Sequence, residues 1–383
     1  MSKDKPIAGH DEGADSEETN WGWGQGAFSS RLGALHRQIS KLVPSVDRIA
    51  CALYNNKDGH LKTFAHSTRS GVSISAYTYP LEGSLSLMSL AKEGGYRVID
   101  DVSALIKPGS THSDWLLEQG YQSSFTVPMY DNGAFIGFVF FDSDRKGAFG
   151  VSEQRDVLYY CTILNMFIST ELSALRSLVA SAEIARDFVG LRDYETGSHL
   201  DRMSRYCEII ARGVARNYGL TDEFIEHLSR FAPLHDIGKI GIADSILLKD
   251  GLLTEKERNI MKTHVERGVE IAHKISAQFD IKSFPYAQLA INVIWYHHEF
   301  LDGSGYPRGL VGEAVPIEGR IVTIADIFDA LTSARPYKSP WSIDEAFAEL
   351  DRMASSGKLD ALCVRALADA RAEVEHVIAV CAD

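Results

Sequence analysis

The sequence predicts two domains of different class: an N-terminal α+β unit built on an antiparallel sheet, and a C-terminal all-α unit reached through one long linker helix. Three observations carry this reading. The turn signals Asp58-Gly59 and Asn132-Gly133 each sit between runs of β-branched and aromatic residues, the pattern of a two-stranded hairpin. From Ser152 to about Arg192 there is no proline and only Gly190 near the end, as a long helix requires. Beyond it, apolar stretches of helical length deliver His and acidic side chains one after another. With 383 residues, 45% of them hydrophobic, the chain can bury two sizeable cores.

Taken in order, residues 1–27 are acidic, glycine-containing and polar, too poor in apolar surface to fold alone, and read as a mobile tail. A helix over Leu32 to Leu42 leads into a strand from Arg48 to Tyr54, a turn ending at Gly59, and a second strand from Leu61 to His66. Leu85 to Glu93 reads as a helix with Ser84 as its N-cap. Ser124 to Tyr130, the turn Asp131 to Gly133, and Ala134 to Phe141 form the clearer hairpin. This first domain spans residues 28–172, and the linker helix spans 153–190 with Ser152 as N-cap. Along that helix Val157, Cys161, Leu164, Ile168, Leu172, Leu175, Val179 and Ala182 recur at three- and four-residue steps. The stripe suits pairing with a second copy, so a homodimer is expected; the other use of such a stripe is packing on its own domain.

Composition excludes several classes of function. A net charge of -13 disfavours a general nucleic-acid surface, so no DNA partner is expected. The acidic, polar start carries no signal or transit pattern, and the apolar run Val157 to Ile168 is too short for a bilayer and broken by Asn165, so no membrane span and a cytoplasmic location are expected. Five scattered cysteines offer neither a disulfide framework nor a CxxC zinc motif.

The chemistry lies in the second half. Glu195 and His199 sit four residues apart, on one face of a helix. His235 and Asp236 follow an apolar segment from Phe224 to Leu234; His264 lies in a helix starting near Thr254; His297 and His298 end the run Leu289 to Tyr296; Asp326 sits within Ile321 to Phe328. An acid among so many apolar residues is costly to bury unless a cation meets it. His and carboxylate ligands in this mixture suit divalent transition metals, and a carboxylate next to a His can bridge two of them. The residues therefore point to metal-dependent hydrolysis. A Gly-rich loop, Asp302 to Gly309, contains Gly305, Tyr306 and Pro307, and Arg335 and Lys338 follow Asp326 by nine and twelve residues. Glycine allows close approach, the Tyr306 ring offers a stacking surface for a base, and the cations suit phosphate.

Two resemblances sharpen this. The element order of residues 28–172, with the hairpin "SSFTVPMYDNGAFIGFVFFDS", resembles the GAF family of small-molecule sensory domains, and no motif says which ligand it would hold. "RDYETGSH", "HDIGKIGI", "HHEFLDGSGYPRGL" and "RIVTIADIFDALTSARPYK" resemble the HD-GYP subgroup of HD-domain metal phosphohydrolases, across residues 180–375. That resemblance implies an all-α domain hydrolysing cyclic di-GMP to pGpG, in some members onward to GMP; related members also cleave cyclic GMP-AMP. It implies Glu195, His199, His235, Asp236, His264, His297, His298 and Asp326 as ligands of two or three ions, iron or manganese, with Asp236 bridging. It further places Lys239 at the scissile phosphate, and Gly305, Tyr306, Pro307, Arg335 and Lys338 on the substrate. A non-catalytic cyclic di-GMP receptor would be expected to lack ligands, and all eight are present. The chain departs from the family pattern at Ala243, at Phe300-Leu301 and over Ser356 to Ala361, where looser packing of the C-terminal helices is expected.

Overall fold

A computed structural model describes residues 27–56, 58–69, 74–109, 111–190, 197–278, 286–333 and 339–381, with the stretches 111–112, 174–179 and 181–190 as backbone alone. All of the expected tail but Ala27 therefore lies outside the described residues, as do Glu195, Arg335 and Lys338.

The N-terminal part alternates as expected. Helix α1 (Phe28–Leu42) precedes strands β1 (Arg48–Asn55), β2 (His60–Thr68) and β3 (Thr78–Pro80); then come α2 (Leu85–Glu93), β4 (Arg97–Ile99), the short α3 (Val102–Leu105), α4 (Thr111–Glu118), β5 (Ser123–Asp131) and β6 (Ala134–Ser143). The strands form one antiparallel sheet in the order β3-β2-β1-β6-β5-β4. Both expected hairpins are present: β1 pairs β2 across Gly59, and β5 pairs β6 across Asn132-Gly133, each of those turn residues adopting positive φ. Ser84 caps α2, its side chain accepting from the Leu87 amide.

Period-two alternation sends one set of strand residues to each face of the sheet. Ile49, Cys51, Phe64, Phe125, Val139 and Phe141 pack beneath α1 and the linker helix α5 (Val151–Gly190). On the other face Leu61, Phe138, Leu87 and Leu90 make a smaller cluster under α2. Helix α5 starts one residue before the expected cap; Ser152 lies inside the first turn, where its hydroxyl donates to Glu153. The apolar stripe of α5 is used inside the protomer: Val157, Cys161, Leu164, Ile168 and Leu172 are all buried in its apolar core. The side chains of Leu175, Val179 and Ala182 lie outside the described residues.

The second half is helical: α6 (Gly197–Tyr218), α7 (Asp222–Phe231), α8 (Asp244–Leu247), α9 (Glu255–Lys262), α10 (His264–Gln278), α11 (Ala287–Tyr296), α12 (Ile317–Thr332), α13 (Ile343–Ser355), α14 (Ala361–Asp369) and α15 (Arg371–Val380). Thr254 does open a helix, through a reciprocal capping box with Glu257, but that helix ends at Lys262. His264 instead begins a separate helix, α10. The C-terminal ending is well tied: the Asp360 carboxylate caps α14 at the Leu362 and Cys363 amides and also accepts from Tyr218 and Arg320, so the expected loosening is absent.

The two halves share one continuous apolar core. Their polar contacts include an ion pair between Lys62 of β2 and Glu208 of α6, 2.7 Å apart, and hydrogen bonds to the first residues of α7. Glu223, fully buried, accepts from the Phe28 and Ser29 amides and so satisfies N–H groups at the start of α1 that have no partner within the helix. Asp222 accepts from the Ala76 amide at 2.5 Å. All five cysteines are buried and unbonded to one another. Among the described residues, no helix is long and apolar enough to cross a membrane.

Candidate metal centre

Five short segments converge on the centre. The turn after α7 brings His235 and Asp236; α6 brings His199 in its first turn; α10 begins with His264; the end of α11 presents His297 and His298; and Asp326 lies in the middle of α12. A close backbone approach makes this possible. Gly238, in the 3-10 turn Ile237–Gly241, lies against the His264 carbonyl and the Gly268 amide of α10, where any Cβ would collide.

Ligand atoms of these residues gather in two groups, each within 4.8 Å: His199, His235 and Asp326 in one, and Asp236, His264, His297 and His298 in the other. Asp236 faces both. Its Oδ2 lies 3.2 Å from His235 Nε2, and its Oδ1 lies 3.0 Å from His264 Nε2 and 3.7 Å from His297 Nε2.

The imidazoles are oriented by a repeated local device. His235, His264 and His297 each hold Nδ1 at 2.8 Å from the backbone carbonyl three residues earlier, those of Ala232, Met261 and Ile294. A carbonyl only accepts, so Nδ1 carries the proton and the Nε2 lone pair is turned into the centre. His199 uses a carboxylate instead: its Nδ1 lies 2.7 Å from Asp329 Oδ2. Asp329 is held in turn by the Arg202 guanidinium, through Nε to Oδ1 at 2.6 Å and Nη2 to Oδ2 at 3.2 Å. Four donors with their remote nitrogens fixed, together with two carboxylates, make the ligand chemistry of a pair of divalent ions.

Electrostatics agree with a site built for positive charge. Burial alone would raise the Asp236 carboxyl, but the Lys239 ammonium and the neighbouring His235 and His264 rings override it and hold the group well below the usual carboxylate range. Burial lowers His297 and His298, the latter well below the usual imidazole range, so both rings stay neutral and able to donate a lone pair. Lys239 Nζ sits 2.9 Å from Asp236 Oδ2.

The Gly-rich loop closes one side. Tyr306 lies over His298, ring centroids 4.6 Å apart, with the Lys262 ammonium 4.9 Å from its centroid. Gly305 packs against the backbone of residues 298–300, leaving no room for a side chain. Glu299, 2% exposed, holds the loop by accepting from the Arg308 and Leu310 amides.

Seven of the eight sequence-predicted ligands are thus brought together, with Lys239, Gly305 and Tyr306 beside them and Pro307 next in the same loop; Glu195, Arg335 and Lys338 lie outside the described residues. Sequence reasoning missed Arg202, Asp329, Glu299 and Lys262. Two of these had a signal: Arg202 follows His199 by three residues and Asp329 follows Asp326 by three, a spacing that keeps each pair on one helix face.

Residues 194–362 match the HD domain family. The chain is 47% identical over 187 residues to the cyclic di-GMP phosphodiesterase response regulator RpfG of Xanthomonas campestris pv. campestris, a match covering 49% of this chain and 46% of that protein. It is 43% identical over 170 residues to the 3'3'-cGAMP-specific phosphodiesterase 2 of Vibrio cholerae, covering 44% and 30%. The chain therefore spans less than half the length of these curated relatives. Among solved structures, the GAF domain of a phosphoenolpyruvate-protein phosphotransferase from Coxiella burnetii aligns with 38% of this chain and 85% of its own, at 14% identity and a TM-score of 0.32.

Proposed function

We propose that this chain, whose residues 194–362 belong to the HD domain family in its HD-GYP form, is a metal-dependent phosphodiesterase that hydrolyses cyclic di-GMP to pGpG, with cyclic GMP-AMP as a second substrate. The carrying observation is the pair of ligand groups facing the two oxygens of Asp236.

His199, His235 and Asp326 would hold one ion; His264, His297 and His298 would hold the other; Asp236 would bridge them, and Glu195 would add the ligand that makes room for a third. Iron or manganese is the proposed filling. Such ions supply the charge that stabilises a phosphodiester under attack and activates a water at neutral pH. The protein's own groups do the rest. Lys239, already poised beside Asp236, donates to a non-bridging phosphate oxygen. The Tyr306 ring, propped by His298, stacks on a guanine, and Gly305 lets the loop approach the ligand closely. Arg335 and Lys338 grip the second phosphate. In this reading residues 28–172 are a GAF-like regulatory unit and 180–375 the catalytic unit. A homodimer through α5 would use its outward face, where Tyr159 and Met166 are exposed, since the buried stripe already serves the protomer.

The test is product analysis. Protein purified without oxygen and loaded with iron or manganese should convert cyclic di-GMP to pGpG and leave mononucleotides untouched. Absence of turnover of both cyclic dinucleotides by fully metallated protein would remove the assignment.

A further inference from the structure

The face of the sheet turned away from α5 carries a half-open cavity of about 560 Å³, within the size range of small-molecule sites. Its walls combine an apolar surface with positive charge. Leu61, Leu87, Val98, Ile99, Ile106 and Phe140 supply the first. The second comes from Arg48, Arg97 and Lys107, and no acidic residue lines it among the described residues, in a chain whose net charge is -13.

The two arginines differ. Arg48 is already neutralised: its Nη1 lies 2.5 Å from Asp142 Oδ2, and its guanidinium sits 4.6 Å over the Trp115 ring. Asp142 is itself taken up further by the Ser124 hydroxyl. Among the described residues Arg97 has only neutral hydrogen-bond partners, the hydroxyls of Ser86 at 2.8 Å and Thr126 at 3.2 Å, while its Nε is sealed from solvent with no acceptor. Burial pushes the Arg97 guanidinium below its ordinary range, with the Asp142 charge opposing. A half-buried guanidinium whose inaccessible Nε lacks an acceptor is costly, and an anion entering the cavity would relieve that cost.

We propose that this cavity binds a small organic anion, one carboxylate on an apolar body, with Arg97 as its counter-ion. The half-buried Arg97 guanidinium matches one carboxylate, the exposed Lys107 adds positive charge that water already solvates, and the apolar walls match the body. The inference concerns the N-terminal half alone and does not depend on the catalytic reading. It also gives the ligand a route outward. Ile74 and Tyr77 line the cavity on either side of Ala76, whose amide is the one received by Asp222 at the head of α7.

Calorimetric titration of the full chain with octanoate and phenylbutyrate, each against its matched alcohol and amine and against GMP, tests this. At least one carboxylate should bind about tenfold or more tightly than its alcohol, the amine should not compete, and Arg97→Met should erase the carboxylate preference while leaving alcohol binding in place. Retained alcohol binding shows that the variant still folds. Equal affinity for acid and alcohol, no binding of either carboxylate, tighter binding of GMP, or an unchanged preference in Arg97→Met would each overturn the proposal. None of these readouts involves phosphodiester turnover, so binding and activity stand or fall separately.

Discussion

At the scale of single residues, the centre depends on what each imidazole does with its remote nitrogen. Three rings use a carbonyl three residues back, which costs the sequence nothing beyond the local turn, and the fourth uses Asp329. Burial alone would raise the Asp329 carboxyl, but His199 and Arg202 hold it below its ordinary range. Asp329→Asn would keep the shape and lose the charge. It is expected to weaken metal binding in the His199 group by roughly 10–100-fold, the usual effect of removing such a support, with the Asp236 group less affected; equilibrium dialysis with manganese reads this directly. Unchanged affinity would mean that the Arg202-Asp329 pair serves packing alone. The ligands themselves were legible because His and Asp among apolar residues have few other uses. Their supports were not, because an Asp hydrogen-bonded to a His looks in sequence like any helical acid until the fold pairs α6 with α12.

At the scale of elements, turns and helix starts were readable from local chemistry, as with the Asn132-Gly133 turn, the Ser84 cap and the helix start at Thr254. Two features were set by tertiary packing instead: the break at Thr263 that frees His264 to begin a new helix, and the side on which the α5 stripe is spent. Helix α7 joins the halves, since its first residues receive the N-terminal domain and its far end leads through the turn to His235. Burial raises the Asp222 carboxyl from 3.8 to about 6, with the Ala76 amide opposing. The folded chain therefore holds a proton that the unfolded chain releases between these values. Stability linked to that proton is full below about 4, falls as pH rises through 6, and stays lost above it. Asp222→Asn keeps the acceptor for Ala76 without the charge. It should stabilise the protein near pH 7.5, by on the order of 2 kcal/mol, with the gain vanishing towards pH 4. Urea midpoints across that range check it, and a variant no more stable than the parent near neutrality would contradict the sign.

At the scale of the whole molecule, a sheet domain and a helical domain share one core, and the metal-ligand set is assembled from α6, the turn after α7, α10, α11 and α12. No single segment holds more than two ligands, so the centre forms only when the helical domain is complete. Its spacing along the chain was visible in sequence, and the family resemblance named Asp236 as the bridge; the close contact at Gly238, which brings the His235 turn onto α10 and Asp236 to 3.0 Å from His264, was not visible there. The most direct test is anomalous diffraction at the manganese edge from crystals of the manganese-loaded protein. Two peaks roughly 3.5–4 Å apart, one on either side of the Asp236 carboxylate, are expected of a bridged pair. A lone peak, or none, with Asp236 contacting no ion would contradict the account.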